Sequence, residues 1–95
     1  MLDTKQIKKD FPILERKIRG YDLVFLDSAA SSQKPTAVIE TLSDFYKNSY
    51  ANIHRGLYVL SMESTQKVED SRKRIANFVD APEDEYVTIF VRGAT

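Results

Sequence analysis

The feature of this 95-residue sequence that most constrains its fold is an apolar run near its C-terminal end. Residues 87–91, Val-Thr-Ile-Phe-Val, are β-branched or aromatic and do not alternate between apolar and charged side chains. Such a run is typical of a strand in a sheet that is covered on both faces. The sequence contains one other convincing strand, residues 23–26, so the run lacks partners for its backbone groups. We therefore predict that further chain or another subunit completes the sheet.

The composition fits one small domain and excludes several classes of partner and site. The 14 basic residues balance the 14 acidic ones, so charge predicts neither a nucleic acid nor an anionic membrane as partner. Cysteine is absent, which excludes disulfides, thiolate metal sites and cysteine nucleophiles within this sequence. We predict no metal site. No apolar signal core or membrane span is present, so we expect a cytoplasmic protein.

The N-terminal residues predict a short helix followed by a hairpin. Asp3 is a good N-cap, and Gln6 stands where it would complete a capping box. Leu2 and Ile7 occupy the two positions of a hydrophobic staple. Pro12 disfavours helix at the preceding residue, so the helix ends there. Residues 17–26 predict a hairpin that turns near residue 20, with 23–26 as its more convincing strand.

Two longer helices are predicted in the rest of the chain. Pro35 opens the first, residues 35–48, whose apolar stripe is core or interface. Ser61 is the predicted N-cap of the second, which extends to about residue 79. The stripe of the first helix contains Val38, Leu42, Phe45 and Tyr46. The predicted buried side of the second contains Val68, Ile75, Phe78 and Val79. Its predicted exposed i, i+4 charge pairs are Glu63–Lys67, Glu69–Lys73 and Asp70–Arg74.

The segment 50–61, between these helices, contains the only histidine of the sequence. His54 supplies a group that titrates near neutral pH, and Arg55 supplies a permanent charge for a carboxylate or phosphate. Gly56 lets the backbone turn or approach a ligand closely. The alternative is a plain helix–helix turn with a capping histidine and a surface arginine, because these three residues together are an unspecific string.

Two other turns could bind an anion. Residues 27–34 are small and polar, and Ala29 and Ala30 leave backbone N–H groups accessible, although an ordinary turn is the favoured alternative. After the apolar run, residues 92–95 read Arg-Gly-Ala-Thr, which is typical of a strand-to-helix turn. Free N–H groups and a threonine hydroxyl there can cradle a phosphate once a helix follows.

Three motifs in order resemble one enzyme family. They are FLDSAASSQKP at 25–35, ANIHRG at 51–56 and FVRGAT at 90–95, with DFPIL at 10–14 before them. Their order and spacing are similar to the N-terminal part of a cysteine desulfurase of the sulfur-mobilisation (SUF) type, within the class V aminotransferases. The resemblance covers essentially the whole of 1–95. It divides the chain into an N-terminal arm, 1–26, and the start of the class V domain, 27–95.

The resemblance implies an α/β architecture of fold type I that depends on pyridoxal 5′-phosphate (PLP). This chain would be a mostly helical N-terminal fragment with about three helices and two short strands, incomplete as a stand-alone fold. Such enzymes convert L-cysteine to L-alanine and leave a persulfide on an active-site cysteine for iron–sulfur cluster assembly. They work as homodimers and pass sulfur to an acceptor scaffold protein.

The matching motifs also imply roles for individual residues. Substrate binding is implied for Ala29, Ala30, His54 and Arg55, of which the last two reach the active site across the dimer interface. Contact with the cofactor phosphate is implied for Gly93, Ala94 and Thr95. No residue of this chain is implied to be catalytic.

The sequence departs from the family pattern in ways that bear on activity. The phosphate turn usually has two threonines, and Ala94 replaces the first; a second histidine after the His-Arg-Gly motif is replaced by Tyr58. The Schiff-base lysine and the nucleophilic cysteine are missing, so we expect this chain alone to be inactive and not to bind PLP. Partners are expected through residues 35–61, either in a homodimer or on a full-length desulfurase. A non-catalytic interaction module and an inert remnant are the alternatives.

Overall fold

The structure is a computed structural model that describes residues 1–94 of the chain. Its elements are α1 (Thr4–Lys9), a 3-10 turn (Pro12–Glu15), β1 (Lys17–Ile18), β2 (Tyr21–Asp22), α2 (Thr36–Asn48) and α3 (Val59–Phe78). The chain divides into two compact units, Met1–Asn48 and Ser49–Thr95, and each is described by itself. The mostly helical content with two short strands confirms the predicted class. Both strands lie inside the predicted hairpin, 17–26, but neither 23–26 nor 87–91 forms a strand.

Helix α1 forms as the sequence predicts. The Asp3 carboxylate accepts hydrogen bonds from the N–H groups of Lys5 and Gln6, both at 3.1 Å. The helix ends at Lys9, and Phe11 is extended, as a residue before proline prefers to be. Leu2 and Ile7 both remain exposed, so the predicted staple buries little apolar surface.

The hairpin confirms the predicted turn and corrects the predicted strand. Strands β1 and β2 pair antiparallel through a two-residue turn, in which Arg19 and Gly20 have positive φ angles of 53° and 83°. That pattern is a type I′ turn, the form that matches the twist of a hairpin. Residues 23–26 lie outside any strand. A strand that is apolar on both faces needs neighbouring strands and covering elements. Among the described residues, the backbone hydrogen bond of this segment is that from the N–H of Leu23 to the carbonyl of Arg16, at 3.2 Å.

One ion pair closes this hairpin. The Lys17 ammonium donates a hydrogen bond to the Asp22 carboxylate across the two strands. That hydrogen bond, and then the positive charge of Lys17, lower the pKa of Asp22 below its ordinary value of 3.8. Both side chains are largely exposed, so water screens the pair and its effect on stability is small.

Helix α2 begins one residue later than predicted. The carbonyl of Pro35 accepts hydrogen bonds from the N–H groups of Val38 and Ile39, which places Pro35 just before the helix. The predicted apolar stripe is not a core within the first unit, because Val38, Leu42 and Tyr46 are about half exposed or more. Of the two predicted roles, core or interface, the role in an interface with another protein surface stays a prediction.

Helix α3 differs most from the prediction at its start and on its buried side. It begins at Val59 after Tyr58, and Ser61 lies inside its first turn instead of capping it. Its buried residues are Ser61, Ser64 and Ala76. The predicted buried side is wrong: Val68 is half-buried, and Ile75, Phe78 and Val79 are exposed. The reason is that α3 packs through hydroxyl groups against the preceding loop, while its apolar positions meet no covering element among the described residues. The end of the helix at Phe78, with Val79 as C-cap, is as predicted.

Charged side chains on α3 form a different pattern from the predicted pairs. Glu69 pairs with Arg72, three residues on, at 3.3 Å, and not with Lys73. Asp70 accepts a hydrogen bond from Gln66 at 2.8 Å. Of the six residues in the predicted pairs, Glu69 is half-buried and the other five are exposed, as predicted.

Residues 86–91 form no strand in the described structure. Val87, Ile89 and Val91 are 81%, 70% and 74% exposed. The N–H of Tyr86 donates a hydrogen bond to the carbonyl of Pro82 at 2.9 Å. Further along, the guanidinium of Arg72 donates a hydrogen bond to the carbonyl of Thr88 and lies 5.1 Å from the centre of the Phe90 ring. The prediction of a formed strand is wrong for the described residues. As at residues 23–26, a strand that is apolar on both faces needs neighbouring strands, and the described residues do not provide them.

The described residues bury very little apolar surface. Hydrophobic residues make up 42% of the sequence, yet Ala76 is the one buried hydrophobic residue in residues 1–94. Contiguous exposed apolar surface on a protein is typical of an interaction surface. Among the described helices, none combines the length and the apolar character that a membrane crossing requires.

Candidate functional site

A set of hydroxyl groups on the first turns of α3 holds the loop that contains His54. Ser61 donates a hydrogen bond to the carbonyl of Asn52 at 2.6 Å, and Ser64 donates one to the carbonyl of Ser49 at 2.8 Å. Thr65 accepts the N–H of His54 at 2.9 Å and donates its own proton to the carbonyl of Ser61 at 2.8 Å. We call Ser61, Ser64 and Thr65 the hydroxyl clamp.

The clamp has a polar interior that is fully satisfied. Ser49, Ser61 and Ser64 are 6%, 0% and 1% exposed. Lys67 donates a hydrogen bond to the Ser49 hydroxyl at 2.7 Å. Within residues 1–94, no buried side-chain nitrogen or oxygen lacks a hydrogen-bond partner. Because unsatisfied buried polar groups are costly, this complete pairing makes the loop an ordered part of the structure.

The backbone at His54 is strained. Its φ angle is 68°, in the left-handed region that side chains other than glycine seldom adopt. The N–H of Arg55 donates to the carbonyl of Ile53 at 2.9 Å, which closes a three-residue γ-turn around His54. The γ-turn with positive φ is the rare, strained form, and such a conformation costs about 1–3 kcal/mol. The surrounding contacts must therefore stabilise it.

The side chains of His54 and Arg55 are exposed at this turn. In the described part of the chain, neither side chain makes a recorded hydrogen bond or ion pair. The turn thus exposes an imidazole and a guanidinium on consecutive residues of an ordered backbone. Their chemistry suits an anionic ligand, since a guanidinium can donate two parallel hydrogen bonds to a carboxylate and an imidazole N–H can donate another.

Gly56 is required by its close approach to α3. A Cβ atom there would overlap the Oγ and Cβ atoms of Ser61 and would lie 3.0 Å from Cε1 of Tyr58. Its φ angle is not in the left-handed region. Of the roles that the sequence suggests for Gly56, the structure therefore shows a close approach, with the helix as the neighbouring surface.

The turn that contains Ala29 and Ala30 belongs to the first unit. Residues 28–30 form a turn, and both alanines are exposed. A cavity of about 440 Å³ lies beside this turn. Its lining consists of Phe11, Leu14, Phe25, Ser28, Ser32, Gln33 and Pro35, so the two alanines are outside it. The lining therefore combines apolar side chains with two serines and one glutamine.

The third predicted site follows the exposed segment 86–91. A bend occurs at Arg92 and Gly93, and both Gly93 and Ala94 are exposed. The space around a Cβ at Gly93 is open, with nothing within 4 Å. Thr95, the third residue predicted there, lies outside the described residues.

The structure brings together some predicted residues and adds others. His54 and Arg55 share one γ-turn, and Gly93 and Ala94 share one bend. Sequence reasoning missed Thr65 and the buried Ser64. The spacing of Ser61, Ser64 and Thr65, at i, i+3 and i+4, is a hydroxyl-bearing helix face and could have indicated them. Residues 1–94 contain no group of three or more His, Cys, Asp and Glu side chains placed to hold a metal ion.

Comparison with known proteins gives one consistent family. A family model described as Aminotransferase class-V matches residues 24–95. The chain is 50% identical over 91 residues to a protein named cysteine desulfurase from Cronobacter sakazakii, covering 96% of this chain and 22% of that protein. It is 47% identical to a probable cysteine desulfurase from Streptomyces coelicolor, covering 100% of this chain and 23% of that protein.

A solved structure agrees with these sequence relatives. The apo structure of a cysteine desulfurase from Thermococcus onnurineus matches with a TM-score of 0.71 and 33% identity. The match covers 86% of this chain and 19% of that one. The chain therefore spans between a fifth and a quarter of the length of the curated relatives, at 22% and 23%.

Proposed function

Because this chain belongs to the aminotransferase class-V family, we propose that it forms part of a PLP-dependent cysteine desulfurase. The proposed reaction converts L-cysteine to L-alanine. A cysteine thiolate of the enzyme takes the substrate sulfur and becomes a persulfide. The sulfur of this persulfide then supplies iron–sulfur cluster assembly through an acceptor scaffold protein. The single observation that supports a binding role for this chain is the strained, clamped turn that presents His54 and Arg55.

The proposed role of His54 and Arg55 is substrate binding. L-cysteine carries a carboxylate at neutral pH, and the guanidinium of Arg55 matches that group in charge and geometry. Ala29 and Ala30 are proposed to line the substrate pocket through their accessible backbone. Neither pair supplies the nucleophile, because this sequence contains no cysteine.

PLP supplies an electron sink when bound. In this proposal, the chain contributes residues that contact the phosphate group of PLP and no other part of the cofactor. The residues that would contact the phosphate are Gly93, Ala94 and Thr95. At Gly93 the surrounding space is open and the backbone is exposed, which fits a close approach by an anion. Because the lysine that carries the cofactor in the family has no counterpart here, we propose that this chain alone does not retain PLP.

The first test uses the purified 95-residue chain. With PLP and L-cysteine, we expect alanine formation no faster than with free PLP, since the lysine and the thiolate are missing. Alanine formation above the free-PLP rate would contradict this part of the proposal.

The second test places the chain in a complete enzyme. In a chimera, residues 1–95 replace the matching region of the relative from Cronobacter sakazakii. We expect the chimera to bind PLP and to form alanine from L-cysteine. Replacement of Arg55 by Met in the chimera should raise the KM for L-cysteine at least tenfold, since a charged hydrogen bond contributes about 1.5–3 kcal/mol. The control is Arg19→Met, at the exposed hairpin turn. A folded, PLP-loaded chimera without activity would refute the function.

Residues 35–61 are the proposed partner-binding segment, used in a homodimer or on a full-length desulfurase. Support comes from the exposed apolar side chains of α2 and from the exposed loop that follows. The second candidate function, a non-catalytic module that docks on such an enzyme, rests on the same exposed side chains. Co-purification of the 95-residue chain with an intact desulfurase, lost on Arg55→Glu, would favour the module. The cytoplasm is the proposed location.

A further inference from the structure

We propose that Thr65 is a positioning residue, whose hydroxyl holds His54 in its strained turn and so fixes the direction of the His54 and Arg55 side chains. This inference rests on the proposed function, because it concerns how that site is held. Thr65 lies on α3, eleven positions after His54 in the sequence. It has no ionisable group and is half-buried.

The contacts of Thr65 use both capacities of a hydroxyl group. Its oxygen accepts the N–H of His54 at 2.9 Å, and its proton goes to the carbonyl of Ser61 at 2.8 Å. A hydroxyl has one donor and two acceptor sites, so the two bonds are compatible. The bond to Ser61 directs the lone pairs of Thr65 toward the loop. Serine can make the same pair of bonds, whereas valine, with nearly the same shape, can make neither.

The turn at His54 is fixed at three points on the same helix. Two residues before it, the carbonyl of Asn52 accepts a bond from Ser61. At the turn itself, the N–H bonds to Thr65. Two residues after it, Gly56 lies against Ser61. The middle contact is the one that acts on the strained residue, and the exposed side chains beside it have no other anchor recorded among residues 1–94. Their direction therefore depends on the backbone that Thr65 holds.

The first experiment measures amide hydrogen exchange in the 95-residue chain. In the parent chain, we expect a slow-exchanging His54 N–H. Thr65→Val should accelerate its exchange about tenfold, as expected for loss of one hydrogen bond, and Thr65→Ser should restore it. The N–H of Ala81, bonded to the carbonyl of Ala76 at 2.9 Å, reports the other end of α3 and should not change.

A matched control variant is available on α2. Thr41 also donates its hydroxyl to the carbonyl four residues earlier, Ala37, at 2.7 Å, but it receives no recorded loop N–H. Thr41→Val should leave the exchange of His54 unchanged. Unprotected exchange of His54 in the parent chain, or equal exchange in Thr65→Val and the parent, would overturn the proposal.

The second experiment measures activity in the chimera. We expect Thr65→Val to lower kcat/KM for L-cysteine about tenfold, with the PLP absorbance and the melting temperature preserved, and Thr65→Ser to recover most of it. An active chimera that is indifferent to Thr65→Val would refute the positioning role. An inactive parent chimera would refute the proposed function instead, and the exchange measurements would still decide whether Thr65 holds the turn.

Discussion

The loop 49–56 and the segment 86–91 both contact α3, and they differ in how completely the chain satisfies them. The loop is polar, and three hydroxyl groups of the clamp hold its backbone. The segment is mostly apolar; the N–H of Tyr86 at its start bonds to the carbonyl of Pro82, and beyond that residue the contacts come from the side chain of Arg72. Small hydroxyl groups can complete their hydrogen bonds within a short stretch of chain. A strand that is apolar on both faces requires neighbouring strands and covering helices.

The physical difference is one of scale. Each clamp hydrogen bond contributes about 1 kcal/mol and needs only one helix turn as its partner. Apolar burial contributes about 25 cal/mol per Å² and needs a large matching surface. The described residues provide no such matching surface for Val87, Ile89 and Val91, whose side chains are exposed. The comparison predicts that mutations in the loop perturb this chain more than mutations in the segment.

The largest effect is expected where the loop meets α3 most closely. In Gly56→Ala, the added Cβ would overlap Ser61, so the loop must move away from the helix. We expect a loss of about 1–3 kcal/mol in the free energy of unfolding, as is usual for overpacking. Urea unfolding followed by helical circular dichroism measures this loss. Gly93→Ala is the control, since its Cβ would meet nothing within 4 Å. Equal stability of the two variants would break the comparison.

A smaller effect is expected from the anchor of the apolar segment. In Arg72→Met, the hydrogen bond to Thr88 and the cation–π contact with Phe90 are lost. Because these partners are partly exposed, we expect about 0.5–1 kcal/mol of local stabilisation to disappear, with α3 intact. Backbone ¹⁵N relaxation at Thr88 and Phe90 should report faster motion, and Arg74→Met, on the exposed side of α3, should not change it. Identical relaxation in both variants would contradict the anchoring role.

The smallest effect on stability is expected from the ion pair between Lys17 and Asp22, which is exposed to solvent on the hairpin of the first unit. The Lys17 hydrogen bond and charge lower the pKa of Asp22 below 3.8, so the folded hairpin binds a proton less readily than the unfolded chain. The pair therefore stabilises the hairpin above the unfolded pKa, and this contribution is lost as pH falls through the folded pKa.

Carboxyl ¹³C titration should show the pKa of Asp22 rising toward 3.8 in Lys17→Met. Lys8→Met, which removes the least of the contributing charges, should change it less. A larger shift with Lys8→Met would be inconsistent with this assignment.

Local rules predicted the parts of this fold that depend on local contacts. The cap at Asp3, the stop before Pro12, the turn at Gly20 and the end of α3 all follow from backbone preferences of single residues. The strands at 23–26 and 87–91 were predicted from burial on two faces, a property that depends on partners. They are absent from the described structure for that reason.

The candidate site was predictable in its chemistry but not in its geometry. The motif indicated His54 and Arg55 as binding residues, a role that stays a prediction. The γ-turn was not predictable, because positive φ at a histidine is disfavoured locally and is imposed by Thr65 and Ser61 from another element. Ser61 was expected to cap α3, since serine favours N-caps. Its hydroxyl instead bonds the carbonyl of Asn52, and the helix begins two residues earlier.

The central claim is that residues 87–91 are built for a sheet that the described chain does not supply. Amide hydrogen exchange of these residues, compared between the 95-residue chain and the chimera, tests it most directly. We expect exchange near the unprotected rate in the 95-residue chain and strong protection in the chimera, where sheet partners are present. Slow exchange of residues 87–91 in a monomeric 95-residue chain would contradict the claim.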